Sequence, residues 1–222
     1  MNVNEIYHEK QVRELCALHA LNNLFQSDAF TKSDLDIICH SLSPDHWINP
    51  HKSVLGLGNY DINVIMKALQ AKGYETIWFD KRKDPSCLNL QNIDGYILNV
   101  PTDYKISFIT LPLRRRHWIT IRQINGLFYN LDSKLDFPQV IGMERGLLNY
   151  LREELDCKDK ELFLVVTNDV EKNQSWLQDH GGYCNTVNLD RDAEEICLKD
   201  ITNSDIQNSF NSNIFAQPNN LS

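Results

Sequence analysis

Apolar residues fall at helical spacing in the early part of the chain and alternate with polar ones further on. From Cys16 to Gln26, the residues Leu18, Leu21, Leu24 and Phe25 keep a helical period, which predicts a buried helix with Cys16 at or near its start. A second helix carries Leu35, Ile38, Cys39 and Leu42 at i, i+3, i+4 and i+7 behind a cap at Thr31 or Ser33, and Pro44 helps to end it. An irregular stretch with Pro50, Gly56 and Gly58 follows. Asn59 and Asp61 are then cap candidates for a third helix with Ile62, Ile65, Met66 and Leu69 on one face, and Gly73 is its natural stop.

Strand-like segments follow at Tyr74 to Asp80, Tyr96 to Val100, Trp118 to Ile124, Leu127 to Leu131 and Leu162 to Thr167, all rich in aromatic and β-branched residues. Glu144 to Leu155 reads as one more helix through Leu147, Leu148 and Leu151. Helices first and strands later give an α+β fold, helices packed on a mainly antiparallel sheet. Residues 181–222 hold eight asparagines, few large apolar groups and no sustained period, so the folded domain is expected over 1–180 with an acidic, flexible tail behind it. Within that tail, Asp192 to Ile201 loosely resembles a ubiquitin-interacting helix. Lys199 stands where such helices need a small residue, so a transient solvated helix is the reading kept.

Composition narrows the function classes. The chain has 222 residues, 42% hydrophobic and 23% charged, an ordinary balance for one globular domain. Its longest apolar run, Leu162 to Val166, is far too short for a bilayer span, and the N-terminus lacks the apolar stretch of a secretory signal, so a cytoplasmic protein is expected. A net charge of −8 repels phosphate backbones and leaves no nucleic-acid footprint. Arg114, Arg115 and Arg116 form a basic run; they suit an acidic partner or a peripheral membrane contact, although such runs are more often solvated strand ends. The six cysteines, Cys16, Cys39, Cys87, Cys157, Cys184 and Cys197, contain no C-x-x-C pair and read as thiols.

Asn125-Gly126 between two alternating strands is the favoured two-residue hairpin turn. It sets a register in which paired positions sum to 251, so Ile119 faces Asp132 and His117 lies diagonally from Asp132 on the same face. Such neighbours are about 7–8 Å apart between backbones, within side-chain reach. A carboxylate on one imidazole nitrogen leaves the other free as a base. Cys16 is the best candidate nucleophile, because a helix N-terminus and a nearby imidazolium both favour thiolate. Each residue also has a plain reading: a buried cysteine packs, a strand histidine is a satisfied polar group, a hairpin aspartate binds local backbone. A zinc site through Cys16 and His19 lacks a second ligand pair, and His8, His40, His46, His51 and His180 show no metal spacing.

Beyond spacing, Tyr7-His8-Glu9-Lys10-Gln11 followed by Leu15-Cys16-Ala17-Leu18-His19-Ala20-Leu21-Asn22-Asn23-Leu24 resembles the opening signature of Josephin-domain deubiquitinases. Gly58-Asn59-Tyr60-Asp61, Arg116-His117-Trp118 and Tyr129-Asn130-Leu131-Asp132-Ser133 resemble the family's later blocks in the right order, and the likeness is greatest to the short, stand-alone Josephins. The resemblance implies a papain-like fold and a thiol-dependent ubiquitin hydrolase, with ubiquitin and ubiquitinated proteins as partners and no metal or organic cofactor. It makes Cys16 the nucleophile, His117 the general base and then acid, Asp132 the residue that orients His117, and Gln11 the oxyanion-stabilising glutamine. Some members carry asparagine at the Asp132 position. Trp118 is expected to wall a groove that admits paired glycines, core packing being its alternative role. A second reading, from another class, is a catalytically weak ubiquitin-binding module.

Overall fold

The computed structural model describes residues 6–178 apart from 13, 46–48, 54–57 and 107–108. The tail over 181–222 lies outside the described residues, as do His46, Gly56, His180, Cys184 and Cys197.

Three helices come first: α1 (Cys16–Phe25), α2 (Lys32–Leu42) and α3 (Ile62–Ala71). Thr31 caps α2 through a reciprocal box, its side chain accepting from the Asp34 amide while the Asp34 carboxylate accepts from the Thr31 amide at 2.7 Å. Asp61 caps α3 by accepting from the amides of Asn63 and Val64. Beyond α3, Gly73 takes φ +84°, a left-handed exit that a glycine adopts without strain.

Among the described residues, six strands then form one antiparallel sheet: β1 (Tyr74–Trp78), β2 (Gly95–Ile106), β3 (Ile109–Ile124), β4 (Leu127–Asn130), β5 (Gln139–Gly142) and β6 (Glu161–Thr167), ordered β1-β6-β2-β3-β4-β5. Helix α4 (Glu144–Asp156) connects β5 to β6, and a short α5 (Asn168–Asn173) follows. The sheet is covered on both faces. α1 to α3 pack on one with Ile97, Trp118, Phe163 and Val165; on the other, α4 places Leu147, Leu151 and Leu155 against Leu98, Ile121, Phe128 and Leu164. Each of these fully buried leucines contributes roughly 2 kcal/mol. Burial on both faces explains why β6 reads as an unbroken apolar run rather than an alternating one.

The β3–β4 turn has the expected form. Asn125 and Gly126 both have positive φ, 51° and 85°, and the pairs Ile124–Leu127 through Ile121–Asn130 keep the register that sums to 251. The Leu131 amide carries the ladder one bond further, to the Thr120 carbonyl at 2.8 Å.

A close approach fixes the segment leading to α3. Gly58 forms an isolated bridge with Glu14, two residues before Cys16, at φ +122°, and a Cβ there would lie 2.2 Å from the Glu14 carbonyl oxygen. Gly58→Ala is therefore expected to cost about 2 kcal/mol through backbone strain and clash, lowering the melting temperature by roughly 4–8 °C for a domain of this size. A thermal melt checks this; an unchanged midpoint would mean that the bridge yields freely.

Candidate active site

His117 lies on β3 opposite Val100, past the end of β4, and Asp132 lies in the loop that leaves β4. The hairpin register brings them together: His117 Nε2 is 2.6 Å from Asp132 Oδ1, with side-chain exposures of 3% and 14%. Asp132 is itself held. Its amide donates to Asn130 Oδ1 at 2.9 Å, its Oδ1 also accepts the Lys134 amide at 2.9 Å, and its carbonyl oxygen lies 3.0 Å from His8 Nε2. Burial raises the carboxyl's pKa, but the hydrogen bond and charge of His117, with the amide and charge of Lys134, outweigh it and leave Asp132 below the usual carboxylate value. An ionised Asp132 can only accept, so His117 carries a proton on Nε2, and in the neutral imidazole the free lone pair is on Nδ1.

Cys16 opens α1 as its sequence position predicts, and the N-cap residue, Leu15, makes no side-chain capping bond. The first-turn amides, which have no partner within the helix, are thus available to the sulfur. Here the structure departs from the sequence expectation. Cys16 is 3% exposed, and burial pushes its thiol upward despite the amides of Trp118, Ala17 and Cys16 itself and the charge of Lys134, all of which favour thiolate. Cys16 and His117 are not hydrogen-bonded to each other; the backbone amide of Trp118, the residue next to His117, is among the groups that favour the thiolate. In the free protein, alkylation of Cys16 by iodoacetamide should therefore keep rising with pH to beyond the ordinary thiol range of about 8.5. A rate already level below pH 7 would show a resting thiolate–imidazolium pair instead.

Gln11 is half-buried, and its backbone N–H donates to the Ser133 carbonyl oxygen at 2.6 Å, which ties it to the loop that carries Asp132. Trp118 packs in the core and also borders a cavity. It is buried against Phe163 with its indole N–H donating to the Tyr60 carbonyl oxygen at 2.9 Å, and it lines, with Cys16, a cavity of about 660 Å³. Tyr60, Trp78, Asn99 and Phe163 also line that cavity, whereas His117, Asp132 and Gln11 do not. Trp78, 69% exposed at the end of β1, is a wall residue that sequence reasoning missed; an aromatic in an edge strand was the available signal. Cys39 is buried within α2, where loss of water pushes its thiol up to about 11. Among the described residues, no group of three or more His, Cys, Asp or Glu side chains is arranged to hold a metal ion.

With this geometry in place, likeness to known proteins is informative. Residues 11–166 match the family profile described as Josephin. The chain is 52% identical over 178 residues to a Josephin-like protein of Drosophila melanogaster, spanning 78% of this chain and 80% of that protein. It is 49% identical over 173 residues to Josephin-2 of Homo sapiens, spanning 78% and 92%. Among solved structures, the catalytic domain of Trichinella spiralis UCH37 bound to ubiquitin vinyl methyl ester aligns at 15% identity and a TM-score of 0.32 over 74% of this chain and 65% of that one, a likeness too loose to carry weight.

Proposed function

The chain belongs to the Josephin family, and on that premise we propose that it is a cysteine isopeptidase that hydrolyses the bond between the C-terminal glycine of ubiquitin and a lysine amine. The observation that carries this reading is the 2.6 Å His117–Asp132 pair, set one residue from a backbone amide that favours the thiolate of Cys16. Binding of the ubiquitin tail brings Nδ1 of His117 to the sulfur; catalytic contacts that are long in a free enzyme commonly tighten with substrate in place.

The Cys16 proton passes to His117 Nδ1 and the thiolate adds to the glycine carbonyl carbon. The oxyanion accepts hydrogen bonds from the Cys16 backbone amide and from the side-chain amide of Gln11. His117 returns the proton to the departing lysine nitrogen as the C–N bond breaks, leaving a thioester. Water, deprotonated by His117, then attacks the thioester, and thiol and carboxylate are released. Asp132 acts through His117 by fixing the tautomer and holding the ring.

The buried thiol with its raised pKa favours a second reading, a module that binds ubiquitin with little turnover. Ubiquitin carrying a C-terminal electrophile separates the two. A covalent adduct at Cys16 supports the hydrolase; measurable ubiquitin affinity with neither adduct nor cleavage supports the binder.

A further inference from the structure

Helix α1 is buried on all sides, and three of its buried residues are polar: His19, Asn22 and Asn23. Buried polar side chains need partners; Asn22 exchanges hydrogen bonds with the Phe30 backbone, and all three reach the segment Tyr7–Val12, which runs beside the helix without being part of the sheet. The bonds recur at helical spacing. Gln26 exchanges two 3.1 Å hydrogen bonds with the backbone of Tyr7; Asn23 accepts the Glu9 amide at 2.6 Å; His19 Nε2 accepts the Val12 amide at 3.2 Å. Because an amide N–H can only donate, the His19 proton sits on Nδ1, 2.6 Å from Glu9 Oε2. The other Glu9 oxygen accepts from Asn22 Nδ2 at 2.9 Å and from the Tyr7 hydroxyl.

Gln11 lies between the two points so fastened, Glu9 and Val12, and its own backbone N–H is bonded to Ser133. Asn23 extends the same network to the opposite chain segment, donating to the Leu131 carbonyl oxygen at 2.9 Å, one residue before Asp132. The network therefore fixes the backbone on either side of the glutamine and reaches the loop that orients the imidazole.

We propose that Glu9 and His19 are positioning residues: their partly buried pair clamps the Tyr7–Val12 segment to α1 and so holds the Gln11 side chain where the oxyanion develops. The inference rests on the hydrolase reading above. Its chemistry dictates an isosteric test. In Glu9→Gln the amide group must aim its NH2 at either His19 Nδ1–H or Asn22 Nδ2–H, so one donor faces another while the volume stays the same.

The full chain hydrolysing ubiquitin joined at its C-terminus to a fluorogenic amine gives the readout. Glu9→Gln and His19→Ala are expected to lower kcat by about tenfold to a hundredfold, the range for a misplaced oxyanion donor, with KM within about twofold of wild type. Alkylation of Cys16 by iodoacetamide at pH 9, which develops no oxyanion, should stay within about twofold. In a Gln11→Ala background the Glu9→Gln change should have little further effect, because the group it positions is gone. Unchanged kcat in both variants overturns the proposal, as does a Glu9→Gln effect that adds in full to that of Gln11→Ala. If His19→Ala does not fold, Glu9→Gln decides: kcat and alkylation falling together would show general disruption and refute the clamp. A wild-type chain that cleaves nothing is a different result, which removes the hydrolase reading and this inference with it.

Discussion

Cys16→Ala should abolish ubiquitin cleavage and adduct formation, a loss of roughly 10⁴-fold or more, the scale seen when a hydrolase loses its nucleophile. The fold should survive. Cys16 is buried at the start of α1, and alanine keeps the backbone, the helix propensity and most of the packing while deleting only the sulfur. The same deletion at Cys39, wholly buried within α2, should leave cleavage in place and lower stability by about 1–2 kcal/mol. Cleavage rates, intact mass after treatment with the electrophilic ubiquitin, and melting curves for the two variants test the assignment. Residual turnover in Cys16→Ala, or an adduct that maps to another cysteine, would move the nucleophile elsewhere.

Local sequence signals sufficed where one interaction dominates. The Asn125-Gly126 turn dictated a register, and with it the meeting of His117 and Asp132, because positive φ at both central residues admits few other loops. Thr31 and Asp61 announced their helices through the side-chain oxygen that an N-terminal amide requires. The elements that went unread have no single interaction of that kind. β2 and β3 run on to Ile106 and from Ile109, well beyond the predicted Tyr96 to Val100 and Trp118 to Ile124, through two prolines and a run of charges that no alternation marks. β5 is a four-residue edge strand with Val140 largely exposed, and α5 has only six residues. The hydrogen bonding between α1 and the Tyr7–Val12 segment was also hidden. The Asn22-Asn23 pair and His19 look like ordinary helix polar residues until the partner segment is in place. The upward displacement of the Cys16 pKa has the same origin: position in the sequence shows the helix dipole, whereas the water lost around the sulfur is a property of the packed tertiary structure.

Substitutions in the His117–Asp132 pair should separate according to what each atom does. His117→Ala removes the proton carrier and should lower kcat by about 10³-fold or more. Asp132→Ala keeps the base but frees the ring, and a loss of about a hundredfold is expected. Asp132→Asn should stay within about tenfold of wild type, because an amide oxygen at Oδ1 still accepts the imidazole proton. The structure selects that orientation. Oδ1 receives both His117 Nε2–H and the Lys134 amide, so an asparagine turned the other way would aim its NH2 at two donors. The correct tautomer of His117 is thereby preserved without a charge. Acid should distinguish the two proteins. Asp132 has a folded pKa below its unfolded value, so its contribution to stability is fully present above the ordinary carboxylate range, about 3.9, and is lost as pH falls through the depressed folded value. The melting temperature of wild type should consequently fall more steeply than that of Asp132→Asn below about pH 4, where only wild type has this group to titrate. Rates for the three variants at neutral pH and melting curves for wild type and Asp132→Asn down to pH 2 provide the measurement. An Asp132→Asn protein as inactive as His117→Ala would mean that the carboxylate's charge, rather than its acceptor geometry, serves the reaction, and a His117→Ala protein with wild-type turnover would remove the imidazole from the mechanism altogether.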